Sequence, residues 1–295
     1  MTQKGLIVVN TYEVFPSVEH MVSRLKEEFA KLGIVFDVLS SGELPLWVSE
    51  DGRIQHGDLP YDFAIYLDKD PYVASMLEDA GLRLFNKADA IRLCDDKMLT
   101  YLSLSDKGIK MPKTISGPLR YSKKDSDVFL KRIEANFSFP IVVKENYGSL
   151  GRNVYLVQNK TELKELENRL SFSPRLYQEL IASSFGVDNR IIVIGGKAIA
   201  WMKRKSDNGD FRSNIALGGH GEGVNLPQNY IMMAENCAKI LGLDYAGIDI
   251  LNGPDGEPIL CEVNSNAFIK GIEEVTGINV AKAYADYIWR EVYQQ

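Results

Sequence analysis

Three oxygen-bearing side chains, Asp249, Glu262 and Asn264, fall within GIDILNGPDGEPILCEVN, residues 247 to 264. The connection NGPDGEP is rich in Gly and Pro, and its flanks AGIDIL and PILCEV suit strands, so the stretch reads as a hairpin. Strand side chains alternate, so Ile248 and Ile250 point one way and Asp249 the other. On the returning strand Ile259, Cys261 and Val263 share one face, and Glu262 and Asn264 share the opposite one. Pairing of Leu251 with Leu260 sets Asp249 across from Glu262. Like charges facing each other across strands destabilise a sheet. A hard divalent cation held by carboxylate and amide oxygens removes that penalty and leaves positions for phosphate. A solvated polar face is the other reading of the same pattern.

Four further stretches carry candidate chemistry. KENYGSLGRNV, residues 144 to 154, lies between two strands. Gly148 and Gly151, flanking Ser149, let the backbone present N–H groups to phosphate, and Lys144 adds a point charge. It lacks the GKS/GKT ending of a Walker A loop, and a plain flexible hairpin turn would look the same. Lys97, beside Asp95 and Asp96, reads by itself as a solvated lysine on a helix. In YQELI the strand offers backbone groups to a base edge, with Glu179 near the sugar. Asp188 and Arg190 can pair with one another as readily as bind a ligand. Arg204 and Arg212 flank a polar loop, and arginine binds phosphate and carboxylate oxygens in two-toothed fashion. The histidines are scattered and read as structural, His220 being the most open to a role, and no Ser/His/Asp constellation competes.

These residues need elements to hold them. Residues 5 to 85 read as a small α/β lobe: GLIVV is a buried strand, and Val18, Met21, Val22, Leu25, Phe29 and Leu32 recur at helical spacing before Gly33. The loop NTYEVFPS then sits where open α/β sheets take ligands. LWVSEDGRIQH reads as a hairpin turning at Asp51-Gly52, and DFAIYLD as a further strand. Residues 88 to 107 form one helical run ended by Gly108. A second unit has a helix near 125 to 136, strands IVVKEN and NVYLV, and the helix TELKELENRL. Beyond Leu176 come long strands turning at Gly195-Gly196, a helix near 229 to 241, the hairpin, and a closing helix.

Composition narrows the class. A chain of 295 residues with 45% hydrophobic and 25% charged residues suits a soluble protein of two or three lobes. No apolar run approaches ~18 residues and the N-terminus enters a strand directly, so neither a membrane span nor a signal peptide is expected. Cys94, Cys237 and Cys261 lack metal spacing and suit reduced thiols of a cytoplasmic protein. A net charge of -6 argues against a nucleic-acid partner. The apolar first lobe leaves room for a homo-oligomer.

The order of these blocks resembles the ATP-grasp superfamily, in the RimK-like branch that joins glutamate to protein or peptide termini. The resemblance runs from about Asn86 to Glu274, through the DK of CDDK, PIVVKENYGSLGRNV, YQELIASSFGVDNRIIVIGG, GDFRSN, GLDYAGIDIL, and CEVN followed by KGIEEVTGIN. It implies mixed α/β and α+β architecture: a pre-ATP-grasp α/β domain at 1–87, a central subdomain at 88–176 and a C-terminal subdomain at 177–295, the last two gripping ATP. By the same resemblance Lys97 and Lys144 hold the α- and β-phosphates, with the Gly148–Ser149–Gly151 loop over them. Glu179 and Leu180 meet adenine at the hinge, and Asp188 meets the ribose. Arg212, Ser213 and Asn214 reach the phosphates or the acyl phosphate, and Asp249, Glu262 and Asn264 bind two Mg2+ or Mn2+ ions. Arg204 and Arg212 suit the oxyanions of catalysis. The activity implied is carboxylate–amine ligation through an acyl phosphate, with ADP and phosphate released and small-molecule or peptide substrates. Rival readings are a ligase of small amino acids or natural products, a small-molecule kinase, and a silent nucleotide-binding module. After CEVN the branch usually continues with a small residue and Ser-Pro-Gly, whereas here Ser265 to Lys270 reads SNAFIK, so Phe268 and Lys270 are expected to reshape the acceptor pocket.

Overall fold

The structure is a computed structural model that describes residues 3–122, 127–215 and 218–294. The first lobe is a parallel sheet of order β2-β1-β5-β6, formed by β1 (Lys4–Val9), β2 (Val35–Ser40), β5 (Phe63–Tyr66) and β6 (Leu84–Phe85). Helices α1 (Pro16–Ala30) and α2 (Pro71–Asp79) make its crossovers. Val18, Met21, Leu25 and Phe29 are the buried stripe of α1, as their spacing requires, and Pro16 stands in its first turn. The predicted hairpin forms beside the sheet as β3 (Leu46–Val48) and β4 (Ile54–His56), with Gly52 at positive φ in its turn.

The expected single helix over 88–107 is two helices, α3 (Ala88–Asp95) and α4 (Lys97–Leu104). Asp96 separates them in an extended conformation, and its Oδ1 accepts from Met98 N at 2.8 Å and Leu99 N at 3.2 Å. An aspartate at this position caps a new helix more favourably than it continues an old one. Lys97 therefore opens α4 instead of lying along a continuous charged face.

The central unit is an antiparallel sheet of order β7-β10-β8-β9, from β7 (Thr114–Ser116), β8 (Ile141–Glu145), β9 (Val154–Val157) and β10 (Arg175–Glu179). Helices α5 (Asp127–Asn136) and α6 (Lys160–Arg169) cover one face of it. The start expected for α5, near residue 125, lies outside the described residues. The expected boundary at 176/177 falls inside β10, whose ladder with β8 runs on to Glu179. Helices α3 and α4 also pack away from the central sheet, placing Ala90, Cys94 and Leu104 in the core of the C-terminal sheet.

That last sheet has order β13-β12-β11-β14-β15, from β11 (Val187–Ile194), β12 (Lys197–Ser206), β13 (Gly219–Glu222), β14 (Tyr245–Asn252) and β15 (Pro258–Asn264). One face buries Ile191, Val193, Ile248, Ile250 and Leu260 against α7 (Gln228–Leu241). The opposite face carries Ile192, Ile194, Ala200, Met202 and Tyr245 into a core shared with α1. Two helices, α8 (Lys270–Thr276) and α9 (Val280–Tyr293), close the chain where one was expected, with Gly277 at positive φ ending the first. By strand alternation Asp188, Arg204 and Asp249 continue the second face beyond its apolar residues.

In the β14–β15 hairpin Asp249 opposes Glu262, but Ile250 pairs with Leu260 and Leu251 with Ile259. The expected Leu251–Leu260 pairing is thus replaced by a bulge at Cys261. One extra residue shifts the alternation. Leu260 and Val263 enter the core, whereas Cys261, expected to share the face of Val263, joins Glu262 on the other side.

Asn86 ties the first lobe to this sheet. It is buried, donating from Nδ2 to Tyr245 O (2.8 Å) and Ser265 O (3.0 Å) and accepting from Tyr245 N (2.9 Å). Asn86→Ala strands three buried backbone groups, so unfolding in urea should show a loss of about 3 kcal/mol or more. A midpoint equal to that of the unaltered protein would show that the junction carries no load.

Candidate active site

The central and C-terminal sheets share a cleft holding ≈ 770 Å³ of empty space, open to solvent. Part of its lining is apolar: Pro112, Val142, Val154, Leu180, Ile181 and Leu251. The rest is charged or polar, and it gathers most of the residues that the sequence singled out. Lys97, Lys144, Gly151, Glu179, Leu180 and Asp188 line the cleft. So do Arg204, Arg212, Ser213, Asn214, Asp249 and Glu262. Gly148, Ser149 and Asn264 are not among the lining residues. Gly148 O accepts from Lys97 Nζ at 2.9 Å, and Asn264 Nδ2 lies 3.4 Å from Asp249 Oδ2.

Lys97 is only 8% exposed, so it is not the solvated lysine its neighbours suggested. Its backbone N donates to Asn146 O at 3.0 Å, and its ammonium lies 3.5 Å from Glu262 Oε1. It therefore links α4, the glycine-rich loop and β15. Lys144 is equally buried, on β8, with Nζ 3.9 Å from Cys261 Sγ. Burial works against its charge, yet Cys261, Tyr101, Glu262 and Asp249 outweigh that and hold the ammonium above its usual range. The glycine loop needs its glycines: Gly148 and Gly151 have φ of 127° and 70°. A Cβ on Gly148 would also come within 2.7 Å of Asn153 Nδ2. Arg212, held by Asp210 through Nε (3.0 Å) and NH2 (2.6 Å), donates to Gly151 O and so straps the loop from across the cleft.

The C-terminal sheet contributes an alternating chain of charges. Arg204, 4% exposed, grips Asp188 with Nε (2.7 Å) and NH2 (2.5 Å), and that NH2 lies 2.9 Å from Asp249 Oδ2. Arg190 holds Asp249 from the other side, with NH2 2.7 Å from Oδ2. Asp188 and Arg190 thus pair across strands and not with one another, because each stands directly opposite a residue of opposite charge on a neighbouring strand. Burial raises Asp249, but the two guanidinium groups more than compensate and keep it below the usual carboxylate range.

The cation argument from the hairpin changes accordingly. Facing carboxylates are already compensated here, by Arg190 and Arg204 at Asp249 and by Lys97 near Glu262. Among the described residues no group of three or more His, Cys, Asp or Glu side chains forms a metal cage. The available donors are two carboxylates and an amide. That small, all-oxygen set suits Mg2+ or Mn2+ bound mainly through phosphate and water.

Sequence reasoning missed Gln178, which lines the cleft while Nε2 donates to Thr114 Oγ1, and Cys261, which the bulge turns toward Lys144. The quoted YQELI contained the first; nothing in the sequence marks the bulge. Burial pushes the Cys261 thiol up to about 11. Glu179 also caps the chain, accepting from Lys113 N at 2.7 Å. His220 pairs with Asp207 at 2.7 Å and stands opposite Lys205, hence on the face turned away from Arg204. Phe268 packs against the core and Lys270 is exposed at the start of α8, and neither lines the cleft.

Two predictions follow from these contacts. Asp249→Asn leaves the buried Arg204 and the part-buried Arg190 short of charge and should destabilise the unliganded protein by about 3 kcal/mol or more. Since the carboxyl is held below its usual range, this contribution is complete above about pH 4 and disappears as pH falls through the lowered value. Denaturation of both proteins at pH 7 and pH 3 reads it; an equal gap at both would refute the assignment. Cys261→Ser should keep turnover within about threefold, because a thiol that stays neutral at pH 7 is poorly nucleophilic.

The description "RimK-like ATP-grasp domain" matches residues 94–288. Beta-citrylglutamate synthase B of Danio rerio is 34% identical over 75% of this chain and 54% of its own length. The chain thus spans about half the length of such relatives. A probable alpha-L-glutamate ligase 1 of Shewanella oneidensis is 37% identical over 76% of this chain and 72% of its own. Among solved structures, the ATP-grasp ligase PsnB, complexed with a phosphomimetic variant of minimal precursor, Mg and ADP, superposes with a TM-score of 0.72. It is 18% identical and covers 99% of both chains.

Proposed function

The chain belongs to the RimK-like ATP-grasp family, and from that premise we propose that it is an ATP-dependent ligase joining a carboxylate to an amine. The observation that supports this best is the meeting of Lys97 and Lys144, from separate elements, with Asp249 and Glu262 in one cleft. The apolar lining takes the adenine, with Glu179 and Leu180 at the hinge. The two lysines take phosphate oxygens, and the glycine-rich loop, strapped by Arg212, closes over them. Ser213 and Asn214 stand beside that strap.

A bound Mg2+ or Mn2+ on Asp249, Glu262 and Asn264 would neutralise charge on the phosphate oxygens. The protein's own part is positioning and electrostatics. The substrate carboxylate attacks the γ-phosphate to give an acyl phosphate and ADP, and the amine then displaces phosphate. Arg212 can leave Asp210 for a developing oxyanion at small cost, being part-exposed. Arg204 is buried between two carboxylates and acts by holding them. The names of the relatives make glutamate the first amine to try, with peptides and small acids as partners.

A coupled assay should release ADP and phosphate only when acid and amine are both present. AMP and pyrophosphate would overturn the acyl-phosphate route, a stable phosphorylated acid without amine would favour a kinase, and binding without turnover would favour a silent module. Glu262→Gln should lower kcat on the order of 10²-fold or more with little change in unfolding midpoint. Near-normal turnover in that variant would remove Glu262 from the site.

A further inference from the structure

We infer that two copies of this chain associate through the first lobe, β2 pairing antiparallel with β2 of a second copy and α1 packing against α1. The inference goes beyond the ligase reading and does not depend on it. β2 is the outer strand of its sheet. Val35 N donates to Gln3 O, so alternation turns the N–H and C=O groups of Phe36 and Val38 away from β1. Ser40 N, next on that edge, is taken by Glu43 Oε2 at 2.8 Å, but no strand pairs with Phe36 or Val38 there among the described residues. Native sheets blunt an open edge with proline, bulges or charged side chains. VFDVLS has no proline, its register with β1 is unbroken, and its one charge, Asp37, is paired with Lys4 Nζ at 2.7 Å. Val35 and Val38 stand 54% and 37% exposed on this edge.

Beside the edge lies a groove with ≈ 730 Å³ of empty space, open to solvent, between α1 and Val38 of β2. Val9, Val14 and Val22 complete its apolar lining, and α1 adds Glu19, Ser23 and Lys26. The other flank of α1 is already covered: Asn279, ahead of α9, accepts from Arg24 at 3.0 Å and donates to Glu28 at 2.9 Å. The open flank is self-complementary. Glu19 and Lys26 are exposed, about two helical turns apart, and neither has an ion pair among the described residues. Their midpoint falls between Val22 and Ser23. A two-fold axis there sets Glu19 against Lys26 of the second copy, and Lys26 against its Glu19, around Val22 and the small Ser23. Val38 lines the same groove, so one axis perpendicular to the sheet serves both contacts. Pairing Val38 with Val38 also sets Asp37 against Leu39, which keeps like charges apart. The two four-stranded sheets become one, and each α1 occupies the groove beside the other. An extended peptide would use the edge but leave the matched charges of α1 idle; a second copy uses both.

The test is sedimentation of the full chain over a range of micromolar concentrations, where a dimer is expected. Glu19→Lys and Lys26→Glu should each weaken that dimer about tenfold or more, since each sets two pairs of like charges across the axis. The double variant Glu19→Lys/Lys26→Glu should restore the affinity to within about threefold, because the charges match again. Both positions are exposed, so circular dichroism should find the monomer fold unchanged in all three proteins. Val38→Lys, which puts a cation on the open edge, should leave a monomer. A monomer at every concentration, a dimer indifferent to the single variants, or a double variant no tighter than the singles would overturn the inference. So would a monomer that takes up an extended peptide along β2 instead.

Discussion

Four side chains of alternating charge, Arg190, Asp249, Arg204 and Asp188, lie side by side on one face of the C-terminal sheet, and the cleft is built on them. Ions so deeply buried are tolerated only when each has partners of opposite sign in good geometry. Here strand register supplies that geometry: Asp188 stands opposite Arg204, and Arg190 opposite Asp249. The same face is apolar at its other end, under the first lobe and the closing helices. The sheet thus uses one surface twice, as core and as cleft floor.

Opposite this rigid floor the central sheet brings a lighter set of contacts. Lys97 and Arg212 each donate to a carbonyl of the glycine-rich loop, from α4 and from the loop after β12 respectively. Arg152 adds a reach to Glu13 of the first lobe at 3.6 Å. The Arg212 and Arg152 contacts hold a backbone oxygen and an exposed carboxylate, which water or a phosphate can replace cheaply, whereas Lys97 is buried. The floor's ion pairs cannot be exchanged in that way. Firm floor and releasable roof are the division of labour that a nucleotide clamp requires.

Much of the architecture was legible locally. Helical spacing in α1, the Asp51-Gly52 turn, the Gly195-Gly196 turn and the β14–β15 hairpin depend on neighbours in sequence, and they appear as read. The split at Asp96 was legible in principle, since aspartate before a helical run is a cap signal. The apolar pattern runs on through it and masks that signal. The bulge at Cys261 was not legible, for it conserves the Asp249–Glu262 pairing while shifting every pair beyond it.

The amino-acid sequence by itself determined which residues alternate, where strands turn and which side chains carry charge or oxygen donors, because these depend on spacing of one to four residues. The tertiary structure alone decided what those groups do to one another. Lys97 became a buried bridge, Asp188 and Arg190 found separate partners, and Arg204 was drawn between two carboxylates. Each of these outcomes depends on distances between residues far apart in the chain, and on how much water the packing of three lobes removes. Neither quantity is written in any local stretch.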